Sequence, residues 1–130
     1  VEEILFRTQS SKVVINAILP RTFNKEGYVA KGGSVKPSLW EDIKVINYEL
    51  KLYATYRNRV SFFDSTNAYL EDPNAPIAEL KINENLMDDF FHLNKNGYQL
   101  WASLASEKLQ KMLDMPYRNS TQETNQDDDW

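Results

Sequence analysis

The chain has 130 residues, 42% of them hydrophobic and 12% aromatic, with a net charge of −4. This composition suits one globular domain or part of one and argues against global disorder. Arg118 against Glu123, Asp127, Asp128 and Asp129 places −3 in residues 116–130 and leaves −1 for residues 1–115, so no basic field is present to attract nucleic acid. No apolar run approaches the ~20 residues of a membrane-spanning helix. Cysteine is absent, which excludes a disulfide framework and thiolate zinc sites but leaves the compartment open.

Val1–Arg7 reads as the last turns of a helix, and the chain is expected to start inside a larger protein. The apolar run Val13–Leu19, closed by Pro20, suits a strand covered on both faces, as in a parallel sheet. Residues 22–38 hold Gly27, Gly32, Gly33 and Pro37 and read as a long loop. Ser38 with Glu41 forms a capping-box pattern for a helix running to about Arg59. Its expected buried face is Trp40, Ile43, Ile46, Leu50 and Tyr53. Asn47, midway along that helix, is read as bonding a neighbouring loop.

Residues 59–64 form a second, aromatic strand. Residues 65–88, with Pro73 and Pro76, read as mostly irregular. Asn94 is placed to cap a last helix that carries Tyr98, Trp101, Leu104, Ala105, Leu109, Met112 and Leu113 on one face and ends at Pro116. The acidic tail 116–130 is expected to be disordered, and Asn119-Ser120-Thr121 within it fits a glycosylation acceptor. Strand, helix and strand make a βαβ unit, whose connection is almost always right-handed. The fold class is therefore α/β. Covering both faces of two parallel strands needs more sheet than this, so residues 1–115 are read as the second half of a layered domain.

The chain's one histidine, His92, follows Asp89 by three residues in Asp89-Phe90-Phe91-His92-Leu93-Asn94. Imidazole moves protons near neutral pH, and a carboxylate beside it fixes its tautomer and steadies the imidazolium. These are two parts of a serine-hydrolase triad, in a loop that follows the second strand and precedes a helix, where α/β sheets gather reactive groups. Asp88 is the competing acid and reads as a solvated neighbour. A metal site at Asp88, Asp89 and His92 lacks further convergent ligands. Arg21, just past the first strand, is a weak candidate for contact with substrate.

Asp-x-x-His-Leu-Asn-x-x-Gly-Tyr before an amphipathic helix resembles the last motif of the SGNH (GDSL-type) hydrolase superfamily. The likeness narrows toward the platelet-activating-factor acetylhydrolase-like branch. There Ile18-Leu19-Pro20-Arg21 resembles Leu-Leu-Pro-Arg, Ile46-Asn47 resembles Val-Asn, and Phe62-Phe63-Asp64 resembles Phe-Leu-Asp. Met87-Asp88-Asp89-Phe90-Phe91-His92-Leu93 stands where that branch has Met-Tyr-Asp-Tyr-Leu-His-Leu. The likeness covers roughly residues 1–113. The family's Gly-Asp-Ser nucleophile motif, its oxyanion-hole glycine and its Gly-x-Asn-Asp motif are all missing. Lys31-Gly32-Gly33-Ser34 does not replace them, since it lacks the acid and lies in the crossover loop.

The resemblance implies the C-terminal half of a flavodoxin-like three-layer α/β/α domain with a parallel sheet. It implies a serine esterase acting on a small ester, a lipid or an acylated glycan, with no metal or organic cofactor. His92 would be the general base and Asp89 its partner, with no nucleophile in this chain, so the chain alone is expected to be inactive. A homodimer follows by analogy with the named branch. The rival reading is a non-catalytic α/β module in which the Asp89–His92 turn steadies a helix start and the acidic tail docks a partner.

Overall fold

The Val-Val-Ile and Val-Ser-Phe-Phe runs are rich in side chains that suit a pleated ladder, and they pair in parallel. A computed structural model describes residues 1–114. The order is α1 (Glu2–Arg7), β1 (Val13–Asn16), α2 (Trp40–Thr55), β2 (Val60–Phe63) and α3 (Lys95–Asp114), with short 3-10 turns at Thr66–Tyr69 and Ile77–Glu79. The register runs from Val13↔Val60 to Asn16↔Phe63. Among the described residues the chain is thus an α/β domain with three α-helices and a two-stranded parallel sheet. The tail 116–130 and Asn119 lie outside the described residues.

Several boundaries differ from the sequence expectation, each for a local reason. β1 stops at Asn16 rather than Leu19. Ala17 N still donates to Phe63 O at 2.8 Å, but the next residue leaves the ladder. Asn47 Oδ1 accepts from Ile18 N at 2.8 Å, and Asn47 Nδ2 donates to Ile18 O at 2.9 Å. One amide on α2 therefore satisfies both backbone groups at the strand exit. Asn47→Ala is expected to lower stability by about 2 kcal/mol, because it strips partners from two part-buried backbone groups. A lower urea midpoint at constant m-value would register the loss, whereas an unchanged midpoint would count against the clamp.

The capping box at Ser38 does not form. Ser38 Oγ donates to Val29 O at 2.7 Å and accepts from Trp40 N at 3.1 Å, so the hydroxyl joins the preceding loop to the helix start. Glu41 turns to Lys44 instead, at 3.1 Å. The helix ends at Thr55, short of Arg59, whose guanidinium reaches back to the carbonyls of Leu5, Thr8 and Ser11. Those bonds tie the end of α1 to the entry of β2.

The inward faces agree with the apolar spacing in part, with Leu50, Tyr53, Trp101, Leu104 and Ala105 half-buried. On α2, Trp40, Ile43 and Ala54 are buried while Ile46 is exposed. On α3, Gly97, Lys108 and Met112 are buried, whereas Tyr98, Leu109 and Leu113 are exposed. Both helices pack against β2, most of which is buried, while β1 is half-buried and not covered on both faces.

The main apolar cluster gathers Val29, Trp40, Tyr69, Leu70, Leu80, Ile82 and Met87, with Phe90, Leu93 and Trp101 packed against it. Most of these residues come from the stretch between β2 and α3. That stretch has little regular structure, as its prolines imply, yet it supplies most of the main cluster and supports the site described next.

Candidate active site

Between β2 and α3 the backbone turns repeatedly on short acids and amides. Asp64 Oδ1 accepts from Thr66 N, Asp72 Oδ1 from Asn74 N, Asn83 Oδ1 from Asn85 N, and Asp89 Oδ1 from Phe91 N at 2.8 Å. Such side chains hold a turn by bonding their own backbone two residues on. The turn at Asp89 does more. Its Oδ1 also accepts from His92 N at 2.7 Å, and its Oδ2 meets His92 Nδ1 at 2.7 Å. Both carboxylate oxygens are engaged, one by two amides and the other by the imidazole.

The electrostatics follow from those bonds. The His92 ring first, then the His92 and Phe91 amides, hold the Asp89 carboxyl far below the usual carboxylate range. With Asp89 ionised, Nδ1 of a neutral ring is the donor and Nε2 is left as the acceptor. The side chains are 76% (His92) and 54% (Asp89) exposed, so the pair faces solvent and its unengaged nitrogen is accessible.

Asp88 is not a second acid for the ring. Its Oδ1 accepts from Asn94 Nδ2 at 2.6 Å, and Asn94 Oδ1 in turn accepts from Gly97 N at 2.9 Å. Asp88 thus orients the residue that caps α3, as the sequence expects of Asn94. Among the described residues no group of three or more His, Cys, Asp or Glu converges as a metal site.

Beside the pair lies an open groove of about 620 Å³, lined by Phe23, Lys25, Phe91 and His92 among others. Sites for small molecules commonly fall between about 300 and 1,000 Å³. The Phe23 and Phe91 rings lie 5.0 Å apart between centroids, and Phe91 lies 5.4 Å from the His92 ring. Arg21 stacks over Phe91 at 5.3 Å and is not among the lining residues. No serine lines the groove; the hydroxyl it does contain, Thr22 Oγ1, is shared between the carbonyls of Tyr28 and Lys31 and accepts from Asn24 N.

Sequence pattern alone marks none of Phe23, Phe90 and Thr22 as a site residue. Phe23 and Thr22 lie in a loop with no periodic pattern, and the signal available for Phe90 was its position between the two paired residues. Models of known protein families give no match to the chain, and neither do curated proteins.

Proposed function

We propose that this chain is the Asp- and His-bearing C-terminal part of an SGNH-type serine esterase, with its serine and oxyanion donors in a preceding segment. The observation that carries the reading is the 2.7 Å contact between Asp89 Oδ2 and His92 Nδ1, with the ring exposed at the rim of an aromatic groove. The resemblance of residues 1–113 to the acetylhydrolase-like branch supports it, and the parallel βαβ unit is compatible with a larger three-layer sheet.

In this reaction His92 Nε2 takes the proton of the serine hydroxyl as the serine oxygen attacks an ester carbonyl. It then gives that proton to the departing alcohol oxygen as the ester bond breaks. In the second half Nε2 takes a proton from water, which cleaves the acyl-serine, and returns it to the serine oxygen. Asp89 holds Nδ1–H throughout and stabilises the imidazolium. The groove between Phe23 and Phe91 receives an apolar part of a small ester, lipid or acylated glycan.

The oxyanion donors commonly supply about 10²–10³ in rate. The 130-residue chain is therefore expected not to turn over p-nitrophenyl acetate, while the polypeptide of the complete gene is labelled at a serine by a fluorophosphonate. Turnover by the 130-residue chain that vanishes in His92→Ala would overturn the division of labour. No labelling of the complete polypeptide would favour the non-catalytic α/β module.

A further inference from the structure

Phe90 has φ 59, a left-handed backbone that side chains other than glycine, asparagine and aspartate rarely adopt. It stands between Asp89 and the two amides, of Phe91 and His92, that Asp89 Oδ1 accepts. An unusual conformation persists where the surroundings determine it, and here they can be named. Phe90 N donates to Met87 O at 3.1 Å, and Phe90 O accepts from Thr22 N at 2.9 Å. The ring lies against Gly27, where an added Cβ would sit 2.7 Å from Cε1 and 2.9 Å from Cδ1.

Gly27 is itself left-handed, with φ 87. Its turn is fixed on both sides. Gly27 N donates to Asn24 O at 3.1 Å, and Gly27 O accepts from Ile82 N at 3.0 Å. Ile82 is fully buried in the main cluster. The floor under the Phe90 ring is thus anchored to the core and has little freedom to retreat.

We infer that Phe90 and Gly27 are positioning residues: the ring of Phe90, seated where Gly27 lacks a side chain, locks the left-handed turn that carries the Asp89 carboxylate onto His92 Nδ1. The loop after β1 and the loop before α3 meet at this contact, so the geometry of the pair depends on a residue some sixty positions upstream. The catalytic meaning of the lock rests on the esterase reading, whereas its mechanical role does not.

The ring tautomer of His92, read by long-range ¹H–¹⁵N spectra of the 130-residue protein, tests it. The wild type is expected to show Nδ1–H as the dominant neutral form, with the Asp89 carboxyl carbon titrating below the ordinary carboxylate range. Phe90→Gly keeps the backbone angle accessible but removes the ring; Gly27→Ala crowds the seat. Both are expected to populate the two tautomers together and to return Asp89 toward about 3.9, while Phe90→Tyr keeps the wild-type signature.

An unchanged tautomer in a folded Phe90→Gly or Gly27→Ala protein overturns the inference, as does a wild type without dominant Nδ1–H. Loss of fold in both variants would make the contact a folding determinant and remove the positioning role as well. A tautomer that responds as expected in a protein whose complete polypeptide escapes fluorophosphonate would keep the lock and discard the esterase. An unresponsive tautomer beside a labelled serine would do the reverse.

Discussion

Asp89→Asn is expected to lower kcat of the proposed esterase about 10⁴-fold with little change in KM, the pattern of a lost transition-state interaction. Asparagine preserves size, and its Oδ1 can still accept from the Phe91 and His92 amides that now bind the carboxylate. Its amide group would face His92 Nδ1, where the carboxylate oxygen stands at 2.7 Å. An NH₂ in that place donates, so Nδ1 must become the acceptor and Nε2 the protonated nitrogen. The ring then presents a proton where a base is needed. Equal kcat in Asp89→Asn and wild type would refute the assigned roles.

The same pair sets a pH signature. The Asp89 carboxyl is held down by the His92 ring and by two amides, so its native-state pKa lies below the unfolded value. Its contribution to stability is present above the unfolded value of about 3.9. It fades as pH falls through the lower native one. Between pH 7 and 4, then, the Asp89 carboxylate should stay ionised while ordinary surface carboxyls begin to take up protons.

Gly97→Ala is the structural change expected to cost most. Alanine in place of glycine in a helix ordinarily gains about 1 kcal/mol. Here a Cβ would lie 2.3 Å from Leu86 O and about 3 Å from the Leu93 side chain. Leu86 O is a backbone atom and already accepts from Asn94 N at 2.9 Å, so it cannot withdraw without loosening the start of α3. If the helix shifts instead, it breaks the 2.9 Å bond that the buried Tyr69 hydroxyl donates to Gly97 O. Overpacking costs about 1–3 kcal/mol and an orphaned buried group a similar amount. The net loss should be about 2–4 kcal/mol, seen as a fall in thermal midpoint of roughly 10 °C or more. A midpoint that rises would show that propensity wins.

What the sequence revealed and what it hid divide along physical lines. Strand, helix, strand and final helix were legible because β-branched runs and three- and four-residue spacing are local signals. Asn94 and the Asp89–His92 turn were legible for the same reason, since each bonds within a few residues of itself. The inward side of each helix was legible in part: Trp40, Ile43 and Met112 are buried as their spacing implies, and Leu50, Tyr53, Trp101, Leu104 and Ala105 are half-buried. Apolar periodicity favoured Ile46, which is exposed, whereas Asn47 bonds a neighbouring segment as expected and satisfies both backbone groups of Ile18. On α3 the buried line includes Gly97 and Lys108 and leaves Tyr98 and Leu113 outside, because the close approach to Leu86 fixes the rotation of the helix. The seat of Phe90 on Gly27 joins residues distant in sequence, and no single-chain pattern announces such a contact.

Because the apolar cluster draws on Tyr69, Leu70, Leu80, Ile82 and Met87, the usual map of mutational tolerance does not hold for this connection. Connecting segments ordinarily accept insertions and drift while helices and strands resist them. In this protein the ribbon from 66 to 93 serves as the keel, and lengthening it would misplace buried side chains and the imidazole at one stroke.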